Sequence, residues 1–268
     1  AAPYTVRVPA WVVPVDPGAI STTVRGLHVV QEAVVDDVLP DVIVVRVTIT
    51  NISDDPVYQV LDPGVPAGGV TYTDAWVAFM LDADVGAFAE SNDDLVSYSA
   101  DRNLVFAYDG DLQVSGFTGG WSTRPGLVGL MLLEGPGAAV RLNAWPAASG
   151  WSSGIGEQTG LLLLSAAQLF PPNHDDARIG YAPDTDRDDY TISAASGPIT
   201  LAPGEQVSAR FAVLFAPPVS GTFESGVVLP AGDPADDGRE FAAFAADLFD
   251  LADAVLPDPP TAERAGRD

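Results

Sequence analysis

The residues best suited to chemistry in this sequence are aspartates. Asp82-Ala83-Asp84-Val85-Gly86 is followed by Asn92-Asp93-Asp94, with Asp101 and Asp109 further on. Asp82 and Asp84 stand two apart, so at the end of a strand they project to one face. Gly86 permits a sharp turn that returns the Asn92-Asp93-Asp94 group to the same place. Calcium takes roughly six to eight oxygens from carboxylates, amides and carbonyls. Asp82, Asp84, Asn92, Asp93, Asp94 and Asp109 can supply such a set, and a cation would relieve their mutual repulsion. The plainer alternative is a solvated acidic loop in a protein that is acidic throughout.

A second acidic stretch, Asp184-Thr185-Asp186-Arg187-Asp188-Asp189-Tyr190, opens like an EF-hand loop. It has Asp189 where the glycine of that loop belongs and Ala195 where the bidentate glutamate belongs, so it is not one. Asp184, Asp186 and Asp188 form a weaker candidate calcium set, and a charged hairpin tip is the better reading. Asp36-Asp37, Asp54-Asp55, Asp233, Asp236 and Asp237 read as turn and cap residues.

Other chemistry is less well supported. Gly150-Trp151-Ser152-Ser153-Gly154 satisfies G-x-S-x-G, but a nucleophile elbow needs a strand before it and a helix after it. Ile155-Gly156-Glu157 is a poor helix start, which leaves a serine hydrolase acting through Ser152 and His174 as a remote alternative. Without cysteine, His28 and His174 are a thin inventory for zinc. His28 reads as a half-buried strand residue and His174 as a loop residue. No pair of carboxylates stands out for glycoside hydrolysis. Trp121, Trp145 and Trp151 lie in Gly/Pro/Ser-rich stretches; exposed on one surface they would stack on sugar rings, whereas large aromatics more often plug the ends of a sheet.

Composition narrows the class. Of 268 residues, 12 are arginine, none is lysine and 37 are Asp or Glu, a net charge of −25. Such an anion is repelled by phosphate backbones and anionic lipids, which argues against nucleic-acid binding and membrane association. Apolar runs reach about ten residues, half of a bilayer span. The start Ala1-Ala2-Pro3-Tyr4 reads as a mature end left by processing.

The elements that would position these residues are strands. In Val42–Thr50, Arg46, Thr48 and Thr50 alternate with Val45, Val47 and Ile49, the period of a sheet with one wet face. Further strands are predicted at 24–30, 75–81, 104–108, 127–133, 139–144, 190–192, 199–201 and 207–215, separated by turns such as Asn51–Pro56 and Ala202-Pro203-Gly204-Glu205. The spacing of Phe241, Phe244, Leu248, Phe249, Leu251 and Val255 predicts a helix over about 239–256, ended by Pro257. Leu161–Phe170 reads either as a helix or as a buried strand leading into one. The expected fold is all-β, an antiparallel β-sandwich of about ten or more strands with a short C-terminal helix. Residues 1–23 read as an extended segment or edge strand, 24–257 as a single domain and 258–268 as a flexible tail.

The stretches Gly26–Glu32, Val42–Asn51, Ala78–Gly86, Asn92-Asp93-Asp94, Arg102–Asp109, Gly129–Leu133 and Ser196-Gly197-Pro198-Ile199-Thr200-Leu201-Ala202-Pro203-Gly204 occur in that order. This series resembles a β-sandwich module of large secreted and cell-surface bacterial proteins. The resemblance implies an exported, non-catalytic protein with a structural or interaction role and with other extracellular subunits or domains as partners. A carbohydrate-binding module that takes polysaccharide through exposed tryptophans is the alternative, and a secreted hydrolase is the second.

Overall fold

The computed structural model describes residues 4–9, 26–35, 39–83, 85, 94–109, 126–146, 179–180, 188–216 and 245–255. The strands are β1 (Tyr4–Pro9), β2 (Leu27–Val35), β3 (Val42–Asn51), β4 (Tyr72–Asp82), β5 (Asp94–Ser99), β6 (Leu104–Asp109), β7 (Leu127–Glu134), β8 (Ala139–Pro146), β9 (Ile179–Gly180), β10 (Tyr190–Leu201) and β11 (Gln206–Ala216). Two helices accompany them, α1 (Pro56–Leu61) and α2 (Ala246–Val255). One sheet runs in the order β1-β2-β3-β11-β7-β6-β5-β9 and a second in the order β4-β10-β8. All the pairings are antiparallel. The chain is therefore all-β in class. No helix among the described residues is long and apolar enough to cross a membrane.

Side-chain alternation divides the interior into two apolar clusters. Val45, Val47, Val96, Val105, Leu130 and Phe211 of the larger sheet share one cluster with Val77, Ala144, Tyr190, Ile192 and Ala194 of the smaller. On the opposite face of the larger sheet, Leu95, Leu104, Phe106, Tyr108 and Met131 pack beneath Leu248, Phe249 and Ala252 of α2. The middle strands of the larger sheet are thus buried on both sides. This explains why Leu104–Tyr108 and Leu127–Leu133 read as unbroken apolar runs, while β3 keeps its alternation with Arg46 exposed.

A charged latch holds α2 in place. Arg102 donates from Nε and Nη2 to the two carboxylate oxygens of Asp253, both at 2.8 Å, and its guanidinium stands 4.7 Å from the centre of the Phe249 ring. The pair is partly solvated, so its contribution is modest. Arg102→Ala is expected to lower stability by about 1 kcal/mol and Arg102→Lys to recover only part of it, because lysine cannot make the two-pronged contact. Chemical denaturation at low salt checks this; a variant as stable as wild type would mean that α2 is held by its apolar face alone.

The structure corrects several expectations. Residues 190–192 and 199–201 are not separate strands but the two ends of β10. The intervening Ser196-Gly197-Pro198 lies inside that strand, at a place where packing leaves no room for a Cβ on residue 197. A Cβ on Gly197 would lie 2.5 Å from Cδ2 of Trp76, and one on Gly137 would collide with the Gly197 backbone. Asp94 opens a strand instead of closing a loop. The turn expected after β3 is present over residues 52–55 and leads into α1, with Asp55 as the N-cap, as its sequence suggested. His28 is exposed on β2, not half-buried. Residues 161–170, His174 and Ser152 lie outside the described residues.

Candidate functional site

β5 and β6 form a hairpin joined by a 3-10 turn at Ala100–Arg102, with Asn103 in the left-handed conformation (φ 52°) that asparagine tolerates. Their register places Asp94 directly opposite Asp109. By the alternation of β5, Asp94 falls on the side of Val96, the side shared with the smaller sheet. Its side chain is fully buried. The Val85 N–H donates to Asp94 Oδ2 at 3.2 Å, tying the chain that leaves β4 to the start of β5. An isolated bridge joins Asp94 to Asp188, whose N–H donates to the Asp94 carbonyl at 3.1 Å. Asp188 Oδ1 in turn accepts from the Asp189 N–H at 2.9 Å.

Two acidic stretches that are separate in sequence therefore meet at one corner: Asp94 and Asp109 from the first, Asp188 from the second. A buried carboxylate is costly unless hydrogen bonds or a cation compensate it. The Val85 amide supplies one such bond. Among the described residues no group of three or more His, Asp or Glu side chains is gathered closely enough to hold a metal.

The other candidates are placed as follows. Asp82 ends β4 on the smaller sheet, opposite Thr191, whose hydroxyl donates to Asp82 Oδ1 at 3.4 Å. Asp82 is exposed and belongs to the set of positions facing away from the shared core, so it is not brought to the side chain of Asp94. Asp84, Asn92, Asp93, Asp184, Asp186, Trp121 and Trp151 lie outside the described residues. For Asp109 and Trp145 the backbone alone is described; Trp145 pairs with Thr191 on β8. The bridge from Asp94 to Asp188 had no local signal.

A second polar cluster was not foreseen. Asn51, fully buried at the end of β3, donates from Nδ2 to the carbonyls of Val70 (2.8 Å) and Leu201 (3.0 Å), and its Oδ1 accepts from the Ser53 N–H (3.1 Å). Ser53 Oγ accepts from the Val70 N–H at 2.8 Å. Gly26 passes close by with φ +75°, where an added Cβ would lie 2.6 Å from Ser53 Cα. This clasp is architectural: its polar atoms are used in fixing the 51–70 loop. Beyond the acidic corner and this clasp, the described residues form antiparallel sheets of an all-β fold. No protein-family model matches the chain, and no curated protein matches it.

Proposed function

We propose that the chain is a non-catalytic extracellular structural or interaction module, a calcium-stabilised β-sandwich belonging to a bacterial surface protein or extracellular assembly. The observation that carries the reading is the buried Asp94 carboxylate, with Asp109 opposite it in the ladder and Asp188 bridged to its backbone. The cluster common to both sheets supports face-to-face packing of the larger sheet on the smaller. In this reading a cation at this corner takes oxygens from Asp94 and Asp188, with water and backbone carbonyls completing its shell, and pins the β4–β5 connection, the β5–β6 hairpin and the entry to β10. The weaker acidic stretch then belongs to the same site as the stronger one. The net charge of −25 suits a protein kept soluble in a salty exterior and unsuited to nucleic acid or membrane.

Melting in excess calcium and in excess chelator, at matched ionic strength, tests the reading. An ion present about a hundredfold above its dissociation constant adds about 2.7 kcal/mol. For a chain of this size that amounts to a rise of roughly 5–10 °C. Magnesium, which holds its own water more tightly, should give much less. Asp94→Asn keeps the shape but removes the charge and should abolish the calcium-dependent rise. Equal melting points in calcium and chelator would overturn the calcium reading.

A further inference from the structure

Among the described residues helix α1 has no core of its own: none of its six residues is buried. Helices below about 12–15 residues rarely stand alone in water, and most owe their stability to a buried apolar face. This one is held up from outside. Asp55 Oδ1 accepts from the Val57 N–H at 2.7 Å, Pro56 occupies the first turn, and the Asp62 N–H donates to the Tyr58 carbonyl at 3.0 Å. Gln59 Nε2 lies 2.9–3.1 Å from the carbonyls of Ser53, Pro66 and Ala67. Those contacts fasten α1 to the clasp around Asn51.

The held turn displays Val57, Val60 and Leu61, which are 73%, 81% and 78% exposed. Their spacing of i, i+3 and i+4 places them on one face, the pattern by which short helices anchor in a partner's groove. Single exposed apolar residues need no explanation, but three on one fixed face do. The flanking charges are all of one sign: Asp54 and Asp55 precede the face and Asp62 follows it. A second copy of this chain is a poor occupant, because docking would bring two acidic rims together on molecules that each carry −25.

We infer that the α1 face is a docking knuckle for a protein partner that offers a concave apolar groove with basic margins. The groove takes Val57, Val60 and Leu61, while its cations meet Asp54, Asp55 and Asp62. Since Gln59 and the Asp55 cap already fix the turn, little order has to be imposed on binding. This assignment is independent of calcium at the acidic corner.

The test uses the full chain and two synthetic helical hairpins with the same leucine-lined groove, one margined by arginine and the other by glutamate. Binding is followed by fluorescence anisotropy at low and high salt. The arginine hairpin should bind and be weakened by salt, and the glutamate hairpin should not bind. The combined Val57→Ser, Val60→Ser and Leu61→Ser variant should lose about tenfold or more in affinity, the equivalent of at least one apolar anchor, while melting with the wild type. Three results overturn the proposal: no binding by the arginine hairpin, undiminished binding by the triple variant, or equal binding by the glutamate hairpin. Concentration-dependent dimers that the triple variant loses would also overturn it, in favour of a second copy of the chain.

Discussion

Asn51→Ala is expected to destabilise the protein by about 3–5 kcal/mol, because each buried polar group left without its partner costs roughly 1–3 kcal/mol. The change removes the Asn51 amide from the Val70 and Leu201 carbonyls and from the Ser53 N–H at once, leaving the Val70 carbonyl only the long 3.4 Å contact from the Ser53 hydroxyl. Relaxation and entering water would recover part of the sum, which is why three losses do not reach their simple total. The same position joins β3 to the β10–β11 turn, since the Asn51 N–H donates to the Glu205 carbonyl and the Gly204 N–H to the Asn51 carbonyl. Those backbone bonds survive the substitution, so β3 should stay paired while the 51–70 loop loosens. Denaturant titration gives the first quantity and amide exchange at Val70 the second. Loss of less than about 1 kcal/mol would mean that the clasp is a consequence of the loop and not its cause.

Phe106→Ala should have a comparable effect through another mechanism. Phe106 is fully buried on β6, with its ring 6.1 Å from that of Tyr108 and 5.8 Å from that of Phe249 in an edge-to-face arrangement. Removing a buried phenylalanine ring typically costs about 3–5 kcal/mol, transfer and cavity together. The void would open directly beneath α2, so the helix should be the first element to loosen. Proteolysis after Arg102 or within 246–255 should then accelerate more than cleavage elsewhere. Uniform protection across the chain would show that α2 is anchored without this ring. Combining Phe106→Ala with Arg102→Ala should give less than the sum of the two, because both act on the seat of Phe249.

The elements found from sequence are those whose signal is local. β3 announces itself by strict alternation, and α2 by helical spacing before a proline. Asp55 reads as a cap because only Asp, Asn, Ser or Thr suits that place, and it is one. The elements missed are those whose local signal points elsewhere. Residues 190–192 and 199–201 read as two strands, and only the Trp76 ring and the Gly137 backbone pressed against Gly197 explain the glycine that joins them within β10. Helix α1 spans only six residues, and the apolar spacing of Val57, Val60 and Leu61 marks a face that stays exposed, so the usual link between apolar period and buried core fails there. β5 has no expectation in the sequence, where Asp94 reads as one of an acidic loop group and not as the first residue of a strand.

The candidate site divides in the same way. That aspartates cluster between 82 and 109 is plain from the sequence; that Asp94 faces Asp109 across the β5–β6 hairpin is not, because β5 has no expectation there. That Asp94 is buried, that Asp82 belongs to the other sheet and faces outward, and that Asp188 arrives beside Asp94 are all decided by strand order.

The chain alone determined composition, charge, strand-forming character and the closing helix, because these depend on neighbours within a few residues. Tertiary structure decided that β3 pairs with β11 and that β10 lies between β4 and β8. Sheet pairing joins segments far apart in the chain, and its register is fixed by which faces are jointly buried, a quantity that no short window of sequence contains. The exposed face of α1 belongs to the same category, since only the assembled fold shows that nothing among the described residues covers it.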